Sequence, residues 1–447
     1  MTASPLALAV NGREHQLFER LVPFIRRNAH VGEPVAVVGL GYVGLPTAYS
    51  LAACGARVTG LDTSARRLTE IRAGEVDLPE AQRRGLAEVL ESGALRLSDN
   101  AAVLTEADTV IVCVPTPVDE DRTPDLSALR AACESVVAHV RNGQTIILTS
   151  TTFVGTTRML LVEPLRRRGL RVGTDVHVAF SPERIDPGNL DHTQRETPRI
   201  VGGVTRSCAE RAAHVIGRTT DSVYLVGSPE AAELTKLYEN IFRAVNLALA
   251  NEIADVCRDL DLDPVEVTIA AGTKPYGFLG SFPGPGVGGH CIPCDPHYLL
   301  WQLREHGVRV PLIEQAMRSI EHRPDQVVRR VLEELVDAAV PPRGARVLIA
   351  GVSYKAGVRD LRESPALPII SGLRRAGVHV SYYDPLIPEV VLEDGTELQS
   401  VPDPGQDCDL VLMHTVHPGL DYGWATRCPL VIDATYQFDA AAHRRVV

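Results

Sequence analysis

The chain has 447 residues, 45% of them hydrophobic and 23% charged, which excludes a disordered or fibrous protein and at this length predicts two or three domains with separate cores. Its formal net charge of -11 opposes non-specific binding to nucleic acid or to an anionic membrane surface. No apolar run approaches the ~20 residues of a membrane helix, residues 1–30 lack the parts of an export signal, and the nine cysteines show no framework spacing. A cytoplasmic protein with reduced thiols, Cys54, Cys113, Cys257 and Cys408 among them, is expected.

In chain order, Leu17, Leu21, Phe24 and Ile25 recur at helical spacing and predict a short amphipathic helix in an N-terminal extension, residues 1–30. "PVAVVGLGYVGLPTAYSLAACGARVTGLD" reads as a strand (Val35 to Val38), a glycine turn, a helix from about Gly41 to Cys54 and a second strand (Val58 to Leu61). Strand-like runs follow at "TVIVCVPTP", "TIILTS", "VHVAFSP" and "RIVGG" between helix-capable stretches. This alternation builds a parallel sheet covered on both faces, so residues 31–216 are taken as one doubly wound α/β domain. From Pro229 to Arg258 no break interrupts the helical spacing of Leu234, Leu237, Ile241, Val245, Leu249 and Ile253. A long helix is expected there, in a helical middle spanning 217–325. From about Gly344, "ARVLIAGVSYK", "HVSYYDP", "CDLVLMHT" and "LVIDAT" predict a second, smaller α/β domain within 326–447.

"GLGYVG" sets Gly39, Gly41 and Gly44 between the first strand and its helix. Gly39 allows the tight turn, Gly41 lets a pyrophosphate approach the backbone, and Gly44 permits close helix packing. Asp62, at the end of the second strand, suits a ribose diol and repels a 2'-phosphate, which favours NAD over NADP; Arg66 and Arg67 just behind it weigh the other way.

"GPGVGGHCIPCDPHYL" places Cys291 and Cys294 three apart behind glycines. They can form a metal clip with His290 or His297, a redox pair, or one nucleophile with a bystander; no second C-x-x-C completes a zinc set. With a nicotinamide cofactor, a thiol can carry an acyl intermediate. That chemistry needs a donor for the oxyanion and a carboxylate for protons. Lys236 and Asn240 lie four apart on one helix face, and Asp295 lies four beyond Cys291. Each alone is equally a surface or capping residue; the combination argues for a site.

"GLGYVGLP", "SPERIDPGN", "KLYENIFRAVN", "PGPGVGGHCIPCDPHYL" and "GVSYKAGVRDLRESPAL" together resemble the UDP-glucose/GDP-mannose dehydrogenase family over essentially the whole chain. The second and third of these, with the N-terminal helix, look most like the branch acting on UDP-N-acetylglucosamine. UDP-glucose and UDP-N-acetylmannosamine are the alternative substrates, and a sugar-nucleotide-binding relative without turnover is the alternative class. The resemblance implies an N-terminal Rossmann-type NAD domain, a central helical domain that makes a homodimer or higher oligomer, and a C-terminal Rossmann-like domain that binds UDP. It implies oxidation of the sugar C6 alcohol to a carboxylate with two NAD and one water, and no metal.

By family pattern Cys291 is the nucleophile, through a thiohemiacetal and a thioester. Lys236 and Asn240 stabilise the oxyanion, Asp295 works with a water near Thr151, and Glu183 assists hydrolysis. The cofactor is assigned Gly39, Gly41, Tyr42, Val43, Gly44, Asp62, Arg67, Pro115, Thr116 and Ser150, with Arg362 from the third domain. The sugar nucleotide is assigned Glu183, Arg184, Lys236, Asn240, Arg243, Phe278, Gly288, Tyr354 and Lys355.

Three departures stand out. Thr149-Ser150-Thr151 replaces a common Glu-Ser-Thr run, "DATYQF" replaces an Arg-containing turn after the last strand, and Cys294 occupies a usually aliphatic position. On this resemblance Cys291 is the working thiol and Cys294 a small packing residue, with a reversible Cys291–Cys294 disulfide as the minor alternative.

Overall fold

The computed structural model describes residues 32–76, 78–119, 121–185, 193–438 and, by backbone, 444–446. The expected N-terminal helix and the "DPGN" end of "SPERIDPGN" lie outside the described residues. The described residues divide into two compact units. One comprises the chain up to Glu239 together with His297–Gly307, and the other comprises Asn240–Pro296 and the residues from Val308 on.

The first unit is built on eight strands: β1 (Pro34–Val38), β2 (Arg57–Leu61), β3 (Leu95–Ser98), β4 (Thr109–Val112), β5 (Thr145–Leu148), β6 (His177–Phe180), β7 (Arg199–Gly203) and β8 (Val223–Val226). They lie in the order β3-β2-β1-β4-β5-β6-β7-β8. Runs such as TVIV and TIIL are buried at every position, as expected where both faces of a sheet are covered. Alternate residues feed opposite cores: Val35 and Val37 pack with Leu45 and Leu51, whereas Ala36 and Val38 pack with Leu129 and Phe180.

Three details differ from the sequence reading. The sheet is not wholly parallel, since β7 runs antiparallel to β6. It continues past residue 216 to β8, which pairs with β7. The first helix, α1 (Gly44–Ala53), begins three residues later than Gly41, because residues 39–43 form the turn and the carbonyls of Gly41 and Val43 accept the first helical bonds. The four-residue strands β3 and β8 are half exposed, and β3, with Arg96 and Ser98 in it, does not stand out as an apolar run.

The long helix α2 (Pro229–Asp259) is present as expected, followed by α3 (Cys291–Glu305) and α4 (Pro311–Asp337). The division between the units falls within α2 and within α3. The second unit carries an all-parallel sheet of β9 (Arg346–Ala350), β10 (His379–Tyr383), β13 (Leu410–Met413), β14 (Leu430–Asp433) and β15 (Arg444–Val446), in the order β10-β9-β13-β14-β15. A hairpin of β11 (Glu389–Val391) and β12 (Glu397–Gln399) stands beside it.

Cys408, expected as a reduced thiol, forms a disulfide with Cys428, the Cα atoms 6.0 Å apart. Each lies two residues before a strand, and the register pairing Leu410 with Leu430 sets the two opposite. Only strand pairing, not the 20-residue spacing, reveals this.

Candidate active site

The glycine turn of the first unit is shaped for backbone approach. Gly39 has φ +85°, and a β-carbon there would lie 2.9 Å from Val114 Cγ1. A β-carbon on Gly44 would overlap the carbonyl oxygen of Gly39, whereas one on Gly41 would meet nothing within 4 Å. Gly44 is therefore glycine for packing, and Gly41 leaves space that the protein does not fill. Val43, which precedes α1, offers no side-chain cap, and the amides of a helix N-terminus are groups from which an anion can accept.

Asp62 receives the N–H of Leu40 on Oδ2 (2.8 Å) and that of Ser64 on Oδ1 (2.9 Å), and Arg67 Nε donates to the Leu40 carbonyl (2.9 Å). The carboxylate is thus fixed beside the turn, and each oxygen keeps a lone pair for a diol. These features fit NAD.

Strand order reverses between β1 and β4, the place where a doubly wound sheet opens a crevice. The loops after β4 and β5 meet there. Thr116 Oγ1 donates to the Thr151 carbonyl (2.6 Å), Ser150 Oγ to the Val114 carbonyl (2.7 Å), and Tyr298 Oη to the Thr116 carbonyl. The hydroxyls of Thr116 and Ser150 staple these loops, including the turn at Pro115.

Glu183 is buried and paired with Arg199, Oε2 to Nη1 at 2.6 Å, while Oε1 accepts the N–H of Arg184 (2.8 Å). Arg184 in turn holds Glu239 on α2 (2.6 and 3.3 Å) and the Pro198 carbonyl (2.8 Å). Lys236, one turn before Asn240 on α2, is buried. The sequence reading missed Arg199 and also Glu233, which accepts from Gly155 N (2.6 Å), Thr157 N (2.9 Å) and Thr157 Oγ1 (2.6 Å). Burial pushes the Glu233 carboxyl above its ordinary range, against those bonds. Its spacing of three from Lys236 was the available signal.

In the second unit Asn240 donates Nδ2–H to Asp295 Oδ2, both side chains buried. Cys291 is the exposed first residue of α3, and Cys294, one turn on, is buried. The preceding glycines dock on the loop after β9. A β-carbon on Gly288 would lie 2.6 Å from Tyr354 Cβ, and one on Gly289 2.8 Å from the Tyr354 ring. Gly289 N–H donates to the Arg362 carbonyl (2.9 Å).

The Arg362 guanidinium is held by Asp360 (2.6 and 2.9 Å). Burial, with Arg362 adding to it, keeps the neighbouring His290 imidazole below its ordinary value. The Lys355 carbonyl accepts from Ser353 Oγ (3.2 Å), whereas Arg243 and Phe278 are exposed. Among the described residues no three His, Cys, Asp or Glu side chains gather as for a metal ion, and no helix is long and apolar enough to cross a membrane.

The second sheet reverses order between β9 and β13. At that end Asp384 accepts from Val352 N (2.8 Å) and Ser353 N (3.1 Å) and meets His417 Nε2 at 3.1 Å. Because His417 Nδ1 accepts the Gly357 N–H (3.0 Å), its proton sits on Nε2 and faces Asp384. Beside them His414 is buried, and burial lowers its imidazole to about 4.

A base depressed in the fold is protonated first in the unfolded chain. Stability is therefore fully present above about pH 6.5 and falls between 6.5 and about 4, by on the order of 3 kcal/mol at most. Asp384, lowered by His417 and backbone N–H groups although burial alone would raise it, adds acid sensitivity below its ordinary value. Melting temperature from pH 4 to 8 is expected to drop on the acid side, with a shallower slope in His414→Gln; equal slopes would refute the assignment.

Comparison with known proteins places three matches along the chain, all to the UDP-glucose/GDP-mannose dehydrogenase family: its NAD binding domain at residues 33–219, its central domain at 230–321 and its UDP binding domain at 348–442. The UDP-N-acetyl-D-mannosamine dehydrogenase of Pyrococcus horikoshii is 36% identical over 388 residues, 86% of this chain and 89% of that protein. A solved structure of a UDP-D-ManNAc dehydrogenase from Pyrococcus horikoshii superposes with a TM-score of 0.84 at 31% identity, covering 92% of this chain and 98% of the other. A UDP-glucose dehydrogenase from Pyrobaculum islandicum superposes with a TM-score of 0.80 at 26% identity, covering 93% and 96%.

Proposed function

Since the chain belongs to the UDP-glucose/GDP-mannose dehydrogenase family and is an NAD-dependent nucleotide-sugar dehydrogenase, we propose that it oxidises C6 of a UDP-N-acetylhexosamine to the uronic acid through a covalent bond to Cys291. The observation that carries this is an exposed thiol at the first residue of α3, with Asp295 one turn on and already hydrogen-bonded to Asn240. The partial positive charge of a helix N-terminus favours negative charge at that position.

When bound at the β1–α1 turn, NAD supplies the hydride acceptor for both oxidations. Cys291 holds the sugar at the aldehyde stage as a thiohemiacetal and then as a thioester, which keeps a reactive aldehyde from leaving. Lys236 and Asn240 donate to the oxyanion. Asp295, with a water near Thr151, moves the proton. Glu183, held by Arg199, assists the attack of water that releases the carboxylate and restores the thiol.

The sequence motifs favoured the gluco epimer, UDP-N-acetylglucosamine. The similar proteins named for the manno epimer move UDP-N-acetylmannosamine from third place to first, ahead of UDP-N-acetylglucosamine and UDP-glucose. Purified protein with NAD and each sugar nucleotide decides among them by absorbance. Two NADH per UDP-N-acetylmannosamine supports the reading, preference for another sugar corrects the substrate, and binding of NAD and sugar with no NADH from any of them overturns it.

We infer further that a second copy of this chain covers α2. Phe242, Leu249, Ile253 and Val256 on α2 are all exposed at spacings of three, four or seven, an apolar stripe of the kind a homodimer buries. Leu249→Glu with Ile253→Glu is expected to halve the mass seen by light scattering; an unchanged mass rejects this interface.

A further inference from the structure

The turn "DATYQF" after β14 puts Tyr436 at φ +58°, a left-handed backbone that a bulky L-residue adopts only when its surroundings impose it. Asp433 imposes it from the backbone side, accepting the N–H groups of Thr435 (2.9 Å), Tyr436 (3.1 Å) and Phe438 (2.9 Å). From the other side the buried Tyr436 hydroxyl accepts from Arg323 Nη2 at 3.3 Å.

Arg323, on α4, is fully buried, and three further groups hold its guanidinium. Its Nη1 reaches Asp255 Oδ1 at 3.0 Å and Gln326 Oε1 at 3.3 Å, and its Nε donates to the Gly284 carbonyl at 3.1 Å. Gly284 lies seven residues before Cys291 in the loop of residues 273–290 that leads to it, and its N–H donates to Asn251 Oδ1 (2.9 Å). Both backbone polar groups of this one loop residue are therefore held by side chains of α2 and α4. An apolar side chain of similar volume packs as well as a buried ion pair, so packing alone does not account for an arginine here.

We propose that Arg323 is a positioning residue for the reaction at Cys291: with Asn251 it anchors the last part of the cysteine loop at Gly284, and through Tyr436 it ties that placement to the turn after β14. The proposal rests on Cys291 being the nucleophile. The rest of the loop leaves little slack, because a β-carbon on Gly286 would lie 2.8 Å from Pro365 and Gly288 and Gly289 lie against Tyr354. A shift at Gly284 is passed along to Cys291 and not absorbed on the way.

The test uses the full chain and three variants: Arg323→Met, which keeps volume without donors, Tyr436→Phe, which removes one hydroxyl, and the two combined. Three quantities are read: the rate of Cys291 alkylation by iodoacetamide, followed by mass spectrometry; kcat and KM for whichever of the three sugar nucleotides is turned over; and Tm. A small misplacement of a reacting group is expected to lower kcat ~10- to 100-fold in Arg323→Met and ~3- to 10-fold in Tyr436→Phe, with KM within about threefold. The alkylation rate is expected to change at least about threefold in both, and the double variant to be no worse than Arg323→Met, because the hydroxyl acts through the guanidinium.

Wild-type kcat and alkylation in the folded variants overturn the proposal, and so does a lowered Tm with nothing else changed. If Arg323→Met does not fold, Tyr436→Phe decides alone. Alkylation needs no turnover, so an active Cys291→Ala enzyme would sink the nucleophile and leave the loop placement still measurable.

Discussion

Cys291→Ala is expected to lower uronic acid formation by ~10⁴-fold or more, with NAD binding unchanged within about twofold. The thiol is exposed at the start of α3, so its removal leaves no cavity and costs no more than about 0.5 kcal/mol of stability. No neighbour replaces it. Cys294, one turn on, is only 4% exposed. Stopped assays that count NADH and uronic acid per sugar provide the check, and a variant retaining about a hundredth of the wild-type rate would rule out covalent catalysis at this residue. Cys294→Val is expected to stay within about threefold of wild type, as a volume-conserving change at a packing position should.

Gly44→Ala and Gly41→Ala should differ sharply although the residues are three apart. The added carbon at Gly44 overlaps the carbonyl oxygen of Gly39 and lies 2.9 Å from its carbon and 3.2 Å from Cys113 Cβ. The oxygen belongs to backbone held at φ +85°, which cannot swing aside as a flexible side chain could. A loss of about 3 kcal/mol or more in stability is expected, together with loss of NAD binding. At Gly41 nothing lies within 4 Å, so Gly41→Ala should fold with stability unchanged within about 0.5 kcal/mol. Its NAD affinity should still fall about tenfold, because the carbon occupies space left for the pyrophosphate. Denaturant unfolding and NAD titration separate the two effects; wild-type NAD affinity in Gly41→Ala would contradict pyrophosphate binding at this turn.

Much of the first unit was legible because buried strands and glycine turns are local signals. TVIV and TIIL cannot be solvated faces, and G-x-G-x-x-G between strand and helix, with Asp62 at the next strand end, identifies a dinucleotide turn without any knowledge of the rest of the chain. Of the strands that escaped notice, β3 is four residues long, mixed in composition and half exposed, so its pairing with β2 makes it a strand, whereas β8 is only four residues long and lies directly before the long helix.

The polar partners were not legible. Arg199 reaches Glu183 across 16 residues, Glu233 reaches Thr157 across 76, and Arg323 reaches Tyr436 across 113. In one sequence without its fold, a buried arginine and a surface arginine are the same letter.

The sequence by itself determined the α/β class, the nucleotide turn and the long helix. Each follows from residue type and spacing within about thirty positions, the range over which one strand–helix–strand unit speaks for itself. Only the tertiary structure decided which charges are buried in pairs, which cysteines meet, and why the glycines before Cys291 have to be glycines. Those answers depend on the distance between segments far apart in the chain, and burial makes that distance energetically decisive by removing the water that would otherwise satisfy either partner alone.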